Sequence, residues 1–359
     1  MQLRELRIEN LRNITDMTVE FAAGLNVIEG ANGAGKTSIV EAAHLLSHGS
    51  SFRAHKADLL LRRGAEALSL FGVVSSAGNE HRLGLLRRAG RWQARLDGAA
   101  STALSELFAT CAVVCFDPGS HSLISGGAEG RRGYLDWGLF HVEPGFGDWS
   151  RRYRRALRQR NAVLKKQGSA DELAAWAAEM ASVAEPITRA REKYIDDLTA
   201  ALGPLFARLL PELGEPGLRF RPGWTRSEAL DRVLAQGEPR DRLLGHCTRG
   251  PHRADWTLSF EAAPIHEQLS RGQEKLCAIA CLLGQAQLYR RARGEWPIIA
   301  LDDFCSELDT PHQEECLAAL ADSGAQILMT GTEFPTALLA RFPPSRRFHV
   351  EQAKLRALL

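Results

Sequence analysis

Between positions 30 and 37 the chain reads Gly30-Ala31-Asn32-Gly33-Ala34-Gly35-Lys36-Thr37. Three glycines let the backbone turn its N–H groups inward at a point where a helix starts, and the helix dipole there favours an anion. A lysine at this spacing reaches the outer phosphates of a nucleoside triphosphate as a point charge, and the threonine after it offers a hydroxyl to Mg²⁺. The apolar run Leu25-Asn26-Val27-Ile28 precedes the loop and an apolar helical run from Ser38 to Leu46 follows it. That strand, loop and helix order separates a phosphate-binding loop from a chance glycine-rich turn.

Phosphoryl chemistry also needs carboxylates, one in the Mg²⁺ shell and one to orient or deprotonate water. Asp302 and Asp303 follow the apolar run Ile298-Ile299-Ala300-Leu301 and provide both. Neighbours on a strand point opposite ways, which gives the two acids different roles. A third segment, Ser270-Arg271-Gly272-Gln273, opens a helical run that extends to about Arg291. Alone it is either a second anion site or an ordinary N-cap. Ser306-Glu307-Leu308-Asp309 lies just beyond the paired acids.

The elements that must position these residues are legible as hydrophobic period. Leu3, Leu6 and Ile8, then Met17, Val19 and Phe21, read as two strands, and further strand-like runs cover 67–75, 81–86, 92–96 and 111–116. From about Arg131 to Arg242 the spacing becomes helical. Leu173, Trp176, Met180 and Val183, then Leu198, Leu202, Leu205 and Leu209, predict at least two helices, started afresh or kinked at Pro186 and interrupted at Gly203-Pro204. This signal is too short and broken for a long coiled coil. Strand character returns at 256–260, followed by the helical run from Gln273, the strand 298–301, a helix over 311–320 and an apolar run over 326–329. The expected architecture is an α/β nucleotide-binding head, a mixed sheet with flanking helices, split into 1–130 and 243–359 by a helical insert over 131–242.

Composition agrees with an ordinary globular chain. The 359 residues are 45% hydrophobic and 25% charged, with a net charge of +2 that is too small to announce a nucleic-acid binder. Any such case must rest on local clusters. Arg151, Arg152, Arg154, Arg155, Arg158, Arg160, Lys165 and Lys166 form one without an acid, either a salt-sensitive phosphate-binding surface or a solvated helix face. Arg131 and Arg132 are open to DNA, interface or structural roles, and His252 to a place under the nucleotide or in a satisfied turn. Seven cysteines in mostly apolar context, without a Cys-x-x-Cys pair, read as buried thiols in a reducing compartment. The alternating N-terminus lacks the apolar run of a signal peptide, and no stretch of about 18 apolar residues occurs. A cytoplasmic protein is expected.

Taken as a set, the phosphate loop, the paired acids, the Ser270 turn and the Ser306 run resemble the ATP-binding-cassette ATPases, in their chromosome-maintenance branch. Within it the chain is similar to the RecF family of bacterial DNA replication and repair proteins. Leu11-Arg12-Asn13, Gly24 to Val27, Pro118 to Asp136 and Gly250-Pro251-His252-Arg253 carry that resemblance. It implies an ABC-type head with an inserted helical arm, and ATP with Mg²⁺ as cofactors. Lys36 and Asp303 would be catalytic, and Thr37 and Asp302 would hold the metal. Gly30 to Thr37, Arg12, Ser270, Gly272 and Gln273 would bind nucleotide, the last three from a second copy. The resemblance further implies ATP-driven dimerisation, gapped DNA in single- and double-stranded form, a partner of the RecR type, help in loading RecA, slow hydrolysis and a place in the SOS response to DNA damage. Gly119 stands where an acid is usual in the family, Ala128 where proline is usual, and Trp256 and Arg271 are unusual too. Two other classes share parts of the pattern: a transporter's nucleotide-binding subunit, and an ATP-binding scaffold with little hydrolysis.

Overall fold

Along the first strand, β1 (Gln2–Leu11), Leu3 and Leu6 are both buried although they stand three residues apart. A β-bulge between Leu3 and Glu5 absorbs the extra residue and returns both side chains to one face. A computed structural model describes residues 1–358 apart from 55, 102, 264, 266, 267 and 322. The described residues divide into two units, one of residues 1–121, 208–210 and 270–359, the other of 122–207 and 211–269.

The first unit continues through β2 (Ile14–Glu20), β3 (Leu25–Glu29), α1 (Lys36–His48), β4 (Ala67–Ser76), β5 (Asn79–Arg88), β6 (Arg91–Leu96), β7 (Ala99–Ala100), α2 (Leu104–Thr110) and β8 (Val113–Phe116). Six of these strands form an antiparallel sheet in the order β2-β1-β4-β5-β6-β7.

The second unit holds α3 (Ser122–Ser125), α4 (Ala128–Val142), α5 (Phe146–Lys165), most of α6 (Ala170–Leu209), β9 (Pro216–Arg221), α7 (Leu230–Gln236), α8 (Glu238–Leu244) and β10 (Asp255–Phe260). It extends past the expected insert, 131–242, at both ends. The reason at its far end is the antiparallel ladder between β9 and β10, which binds residues 255–260 to the helical segment. Of the two alternatives at Pro186, a fresh helix start does not occur, nor does an interruption at Gly203-Pro204: α6 is one helix of 40 residues with Pro186 and Pro204 inside it. Each proline removes one backbone bond at a cost of about 3 kcal/mol. Burial of Met180, Val183, Ile187, Leu198, Leu202 and Phe206 along the helix offsets that loss, at roughly 1.5–3 kcal/mol for each large side chain.

The chain then returns to the first unit through α9 (Arg271–Arg293), β11 (Ile298–Leu301), α10 (Phe304–Glu307), α11 (Thr310–Ala321), β12 (Ile327–Gly331), α12 (Thr336–Arg341), β13 (Arg346–Glu351) and β14 (Lys354–Ala357). A second sheet has the order β14-β13-β3-β12-β11-β8. Its strands are parallel except β14, and β3, β11 and β12 are buried nearly throughout. Continuous apolar runs are what a parallel sheet covered on both faces requires. Helix α1 packs on strands of both sheets, namely β1, β4, β8 and β12. All seven cysteines are free thiols and five are buried. Among the described residues no helix is long and apolar enough to cross a membrane.

Candidate nucleotide site

The phosphate loop leaves the end of β3 and enters α1 with Gly35 in the left-handed N-cap position, φ 119°. Gly30 has φ 154°, and a Cβ there would stand 2.1 Å from the carbonyl oxygen of Val350 on β13. Only glycine lets β13 approach so closely. Ala353, in the turn between β13 and β14, donates its N–H to the Ala34 carbonyl at 2.8 Å. Gln352 and Ala353 both have positive φ, 48° and 57°, the primed turn that suits a two-residue hairpin. The C-terminal hairpin therefore clasps the loop from outside.

Inside lies a cavity of about 420 Å³ lined by Arg12, Asn13, Asn32, Gly33, Gly35, Lys36, Thr37, Ser38, Arg53, Asp303 and Thr330. Lys36 Nζ donates to the carbonyls of Gly30 at 2.7 Å and Ala31 at 3.0 Å, and Asn13 Nδ2 donates to Gly33 O at 2.9 Å. Burial pushes the Lys36 ammonium below its ordinary value, while Asp303 and Asp302 pull the other way. Gly30, Ala31 and Ala34 frame the loop, and Asn32, Gly33, Gly35, Lys36 and Thr37 form its part of the wall.

The paired acids differ as their adjacency suggested, though by a sharper device than strand alternation. Strand β11 ends at Leu301; Asp302 is 2% exposed, and Asp303 turns into the left-handed region with φ 52°. Thr330 Oγ1 donates to Asp302 Oδ1 at 2.7 Å and accepts the Asp303 N–H at 2.9 Å. Ser306 Oγ donates to Asp303 Oδ1 at 3.0 Å. Burial raises the Asp302 pKa, opposed by hydrogen bonds from Thr330 and Thr37 and reinforced by Asp117. A divalent cation would reverse that balance. Among the described residues no group of three or more His, Cys, Asp or Glu forms a metal cage. Thr37 and Asp302 meeting beside a phosphate cradle fit Mg²⁺, which uses one or two protein ligands and completes its shell with phosphate and water.

The cavity wall contains none of Ser270, Gly272 and Gln273. Ser270 is the N-cap of α9 in a full capping box: its Oγ accepts the Gln273 N–H at 3.3 Å, and Gln273 Oε1 accepts the Ser270 N–H at 3.0 Å. In this chain taken alone the Ser270 turn is therefore an N-cap. Lys275 in the first turns of α9 pairs with Glu307 at 2.8 Å, which ties α9 to the segment following Asp303.

Sequence reasoning missed Asn13, Ser38, Arg53 and Thr330, and placed Arg12 only by resemblance. Arg12 and Asn13 form the two-residue turn between β1 and β2, with Arg12 at φ 55°. Glu41, fully buried on α1, takes two hydrogen bonds from the Arg12 guanidinium.

In the second unit the basic run splits. Arg160, 1% exposed, faces inward and donates to Asp241 Oδ2 and Cys247 Sγ, each at 2.8 Å. Arg151 pairs with Asp148 and Arg152 with Glu179, whereas Arg155, Arg158, Lys165 and Lys166 are exposed and make no ion pair among the described residues. Arg131 is structural: its guanidinium grips both oxygens of Asp255 at 2.7 and 3.1 Å. Arg132 donates to the Ala254 carbonyl at 2.9 Å. His252 accepts from the Tyr153 hydroxyl at 2.7 Å and donates to Cys247 O at 3.0 Å, so it is a satisfied turn histidine with its pKa pushed down by burial to about 4.

The family model described as RecF/RecN/SMC N terminal domain matches residues 2–340. The DNA replication and repair protein RecF of Stenotrophomonas maltophilia (strain R551-3) is 47% identical over 364 residues, covering all of both chains. RecF of Xanthomonas euvesicatoria pv. vesicatoria (strain 85-10) is 46% identical over 361 residues, covering 99% of this chain and 98% of its own. A solved structure of the recombination mediator protein RecF with ATP in the RecFOR pathway superposes with a TM-score of 0.89 at 24% identity, over 99% of this chain and 97% of the other. That likeness carries the fold, an ABC-type ATPase head with an inserted helical arm, and the sequence relatives carry the lineage. The chain belongs to the RecF family within the RecF/RecN/SMC group.

Proposed function

We propose that this protein is an ATP-dependent DNA-binding switch of recombinational repair and replication. The observation that carries the reading is a half-site: the phosphate loop and Asp303 share one cavity, Asp302 lies behind its wall on the Thr330 hydroxyl, and Ser270 to Gln273 stand outside it. A second copy of the chain supplies the missing half. Ser270 and Gly272 of that copy close over the outer phosphate, so ATP binding and dimerisation become one event.

Within each half, Lys36 and the α1 N-terminus bind the phosphates, and Arg12 and Arg53 add positive charge at the mouth. Thr37 and Asp302 would hold Mg²⁺, which when bound neutralises charge on the outer phosphates. Asp303 orients water and accepts its proton. Positioning and charge neutralisation account for most of such a reaction. The exposed stripe Arg155, Arg158, Lys165 and Lys166 contacts DNA phosphates without reading sequence. The relatives are named for DNA replication and repair, and a solved structure for the RecFOR pathway; the family resemblance adds gapped DNA and a RecR-type mediator as partners, and help in loading RecA as the outcome. The same relatives, matched along their whole length, favour this over a transporter subunit.

Single-turnover hydrolysis with and without DNA tests the reading. DNA should accelerate it, and Asp303→Asn should slow it by roughly 10²–10⁴-fold. A rate indifferent to both DNA and Asp303 leaves a nucleotide-binding scaffold instead.

A further inference from the structure

We infer that Thr330 is a positioning residue that fixes both acids of the ATPase site with a single hydroxyl, a role that rests on the proposed assignment of Asp302 to the metal and Asp303 to water. Thr330 is wholly buried near the end of β12, one strand across from β11, and the Leu301–Met329 pairing places it beside the two aspartates. A hydroxyl has one proton and two lone pairs. Because Thr330 Oγ1 accepts the backbone N–H of Asp303 at 2.9 Å, and an ionised carboxylate has no proton to give, its own proton must go to Asp302 Oδ1 at 2.7 Å. The direction of both bonds is therefore determined.

Each bond does a separate job. The first holds Asp303 in the left-handed conformation, which L residues rarely adopt, and so turns its side chain out of the strand. The second occupies one oxygen of Asp302, whose carboxylate also takes a hydrogen bond from Thr37. Asp302 is thus held between two threonines, Thr330 and Thr37, the second of which would share the metal with it. A buried valine would fill the same volume and suit a strand equally well, so packing does not explain the hydroxyl. Removing it would leave the Asp303 N–H unpaired and Asp302 held by Thr37 alone.

The test compares Thr330→Val with Thr330→Ser in the full-length protein. Outer-shell partners of this kind are worth about 10–100-fold in metal affinity or rate. Thr330→Val should weaken Mn²⁺ binding to the ATP complex, read by electron paramagnetic resonance, by about tenfold, and lower the single-turnover rate by at least as much. Binding of a fluorescent ATP analogue in EDTA should change less than about twofold, because the phosphate loop is untouched. Thr330→Ser keeps the hydroxyl and should restore metal affinity and rate.

Wild-type metal affinity and rate in Thr330→Val would overturn the inference. So would a Thr330→Ser variant as defective as Thr330→Val at an unchanged melting temperature, since a retained hydroxyl would then not be enough to position the two acids. If Thr330→Val does not fold, Thr330→Ser against Thr330→Ala makes the same comparison, the two differing in the hydroxyl alone. Asp302→Asn in the Mn²⁺ assay separates the two levels: loss there with none in Thr330→Val defeats only the role of Thr330, whereas no loss in Asp302→Asn defeats the metal assignment itself.

Discussion

Glu41 holds Arg12 by two hydrogen bonds, 2.9 Å from Nε and 2.7 Å from Nη2. The same carboxylate accepts from Ser51 Oγ, and Ser51 Oγ in turn accepts the backbone N–H of Arg53 at 2.9 Å. One buried acid behind the phosphate loop therefore organises the two arginines at the mouth of the cavity. Glu41→Gln keeps the volume and loses the charge, so Arg12 should swing free. We expect ATP affinity to fall about tenfold, with a loss of roughly 2 kcal/mol in stability from the broken charged hydrogen bonds. Calorimetric titration and urea unfolding measure the two; unaltered affinity would remove Arg12 from the nucleotide site.

Lys36→Met removes the ammonium proposed to bind the outer phosphates while leaving the loop glycines in place. ATP-dependent dimerisation, followed by light scattering, should disappear. Dimers that form as before would sink the coupling of nucleotide to assembly.

Helix α5 offers a contrast between arginines of one cluster. Arg155→Ala with Arg158→Ala should leave stability unchanged and reduce the slope of log affinity for duplex DNA against log salt by about 1.8, at roughly 0.9 for each phosphate contact. Arg160→Ala should instead destabilise the second unit by about 3–5 kcal/mol, because it strands the buried Asp241 carboxylate. An unaltered salt slope in the double variant would take this stripe off the DNA surface.

His44, on α1 behind the loop, is stacked on His48 with ring centroids 3.7 Å apart and donates to Ser50 O at 2.9 Å. Burial pushes its pKa down to about 4. The unfolded chain, with an ordinary histidine near 6.5, takes up the proton first as pH falls. The contribution of His44 is therefore complete above about pH 6.5 and is lost progressively toward pH 4. At pH 5 the loss should be about 2 kcal/mol. Urea midpoints at pH 7 and pH 5 should differ more in the wild type than in His44→Gln; equal shifts would mean that the ring is protonated without cost.

What the sequence revealed was local. Gly30 to Thr37 and the run ending in Asp302-Asp303 are each contiguous, and each carries its chemistry within a few residues, so period and residue type were enough. Thr330 joins the cavity only because β3, β12 and β11 lie side by side in the folded sheet, and Arg53 because Ser51 and Glu41 hold the segment after α1; nothing in their immediate neighbours marks them. That α6 does not start afresh at Pro186 has a related reason. The proline's local cost is real, but the apolar face that outweighs it is assembled from residues spread over α6. The role of Glu41 was invisible because a lone acid on an apolar helix carries no pattern until Arg12 meets it.

The clasp of the C-terminal hairpin on the phosphate loop has a consequence for biosynthesis. Ala353, whose N–H secures Ala34, is made roughly 320 residues after the loop it secures. At about 5–20 residues per second a ribosome needs roughly 15 to 65 s to cover that distance. Throughout that interval β3 also lacks both its sheet neighbours, β12 and β13. A nascent chain thus carries the loop's full sequence long before it has a loop able to grip ATP, and nucleotide cannot help the head to fold until the β13–β14 hairpin has been made.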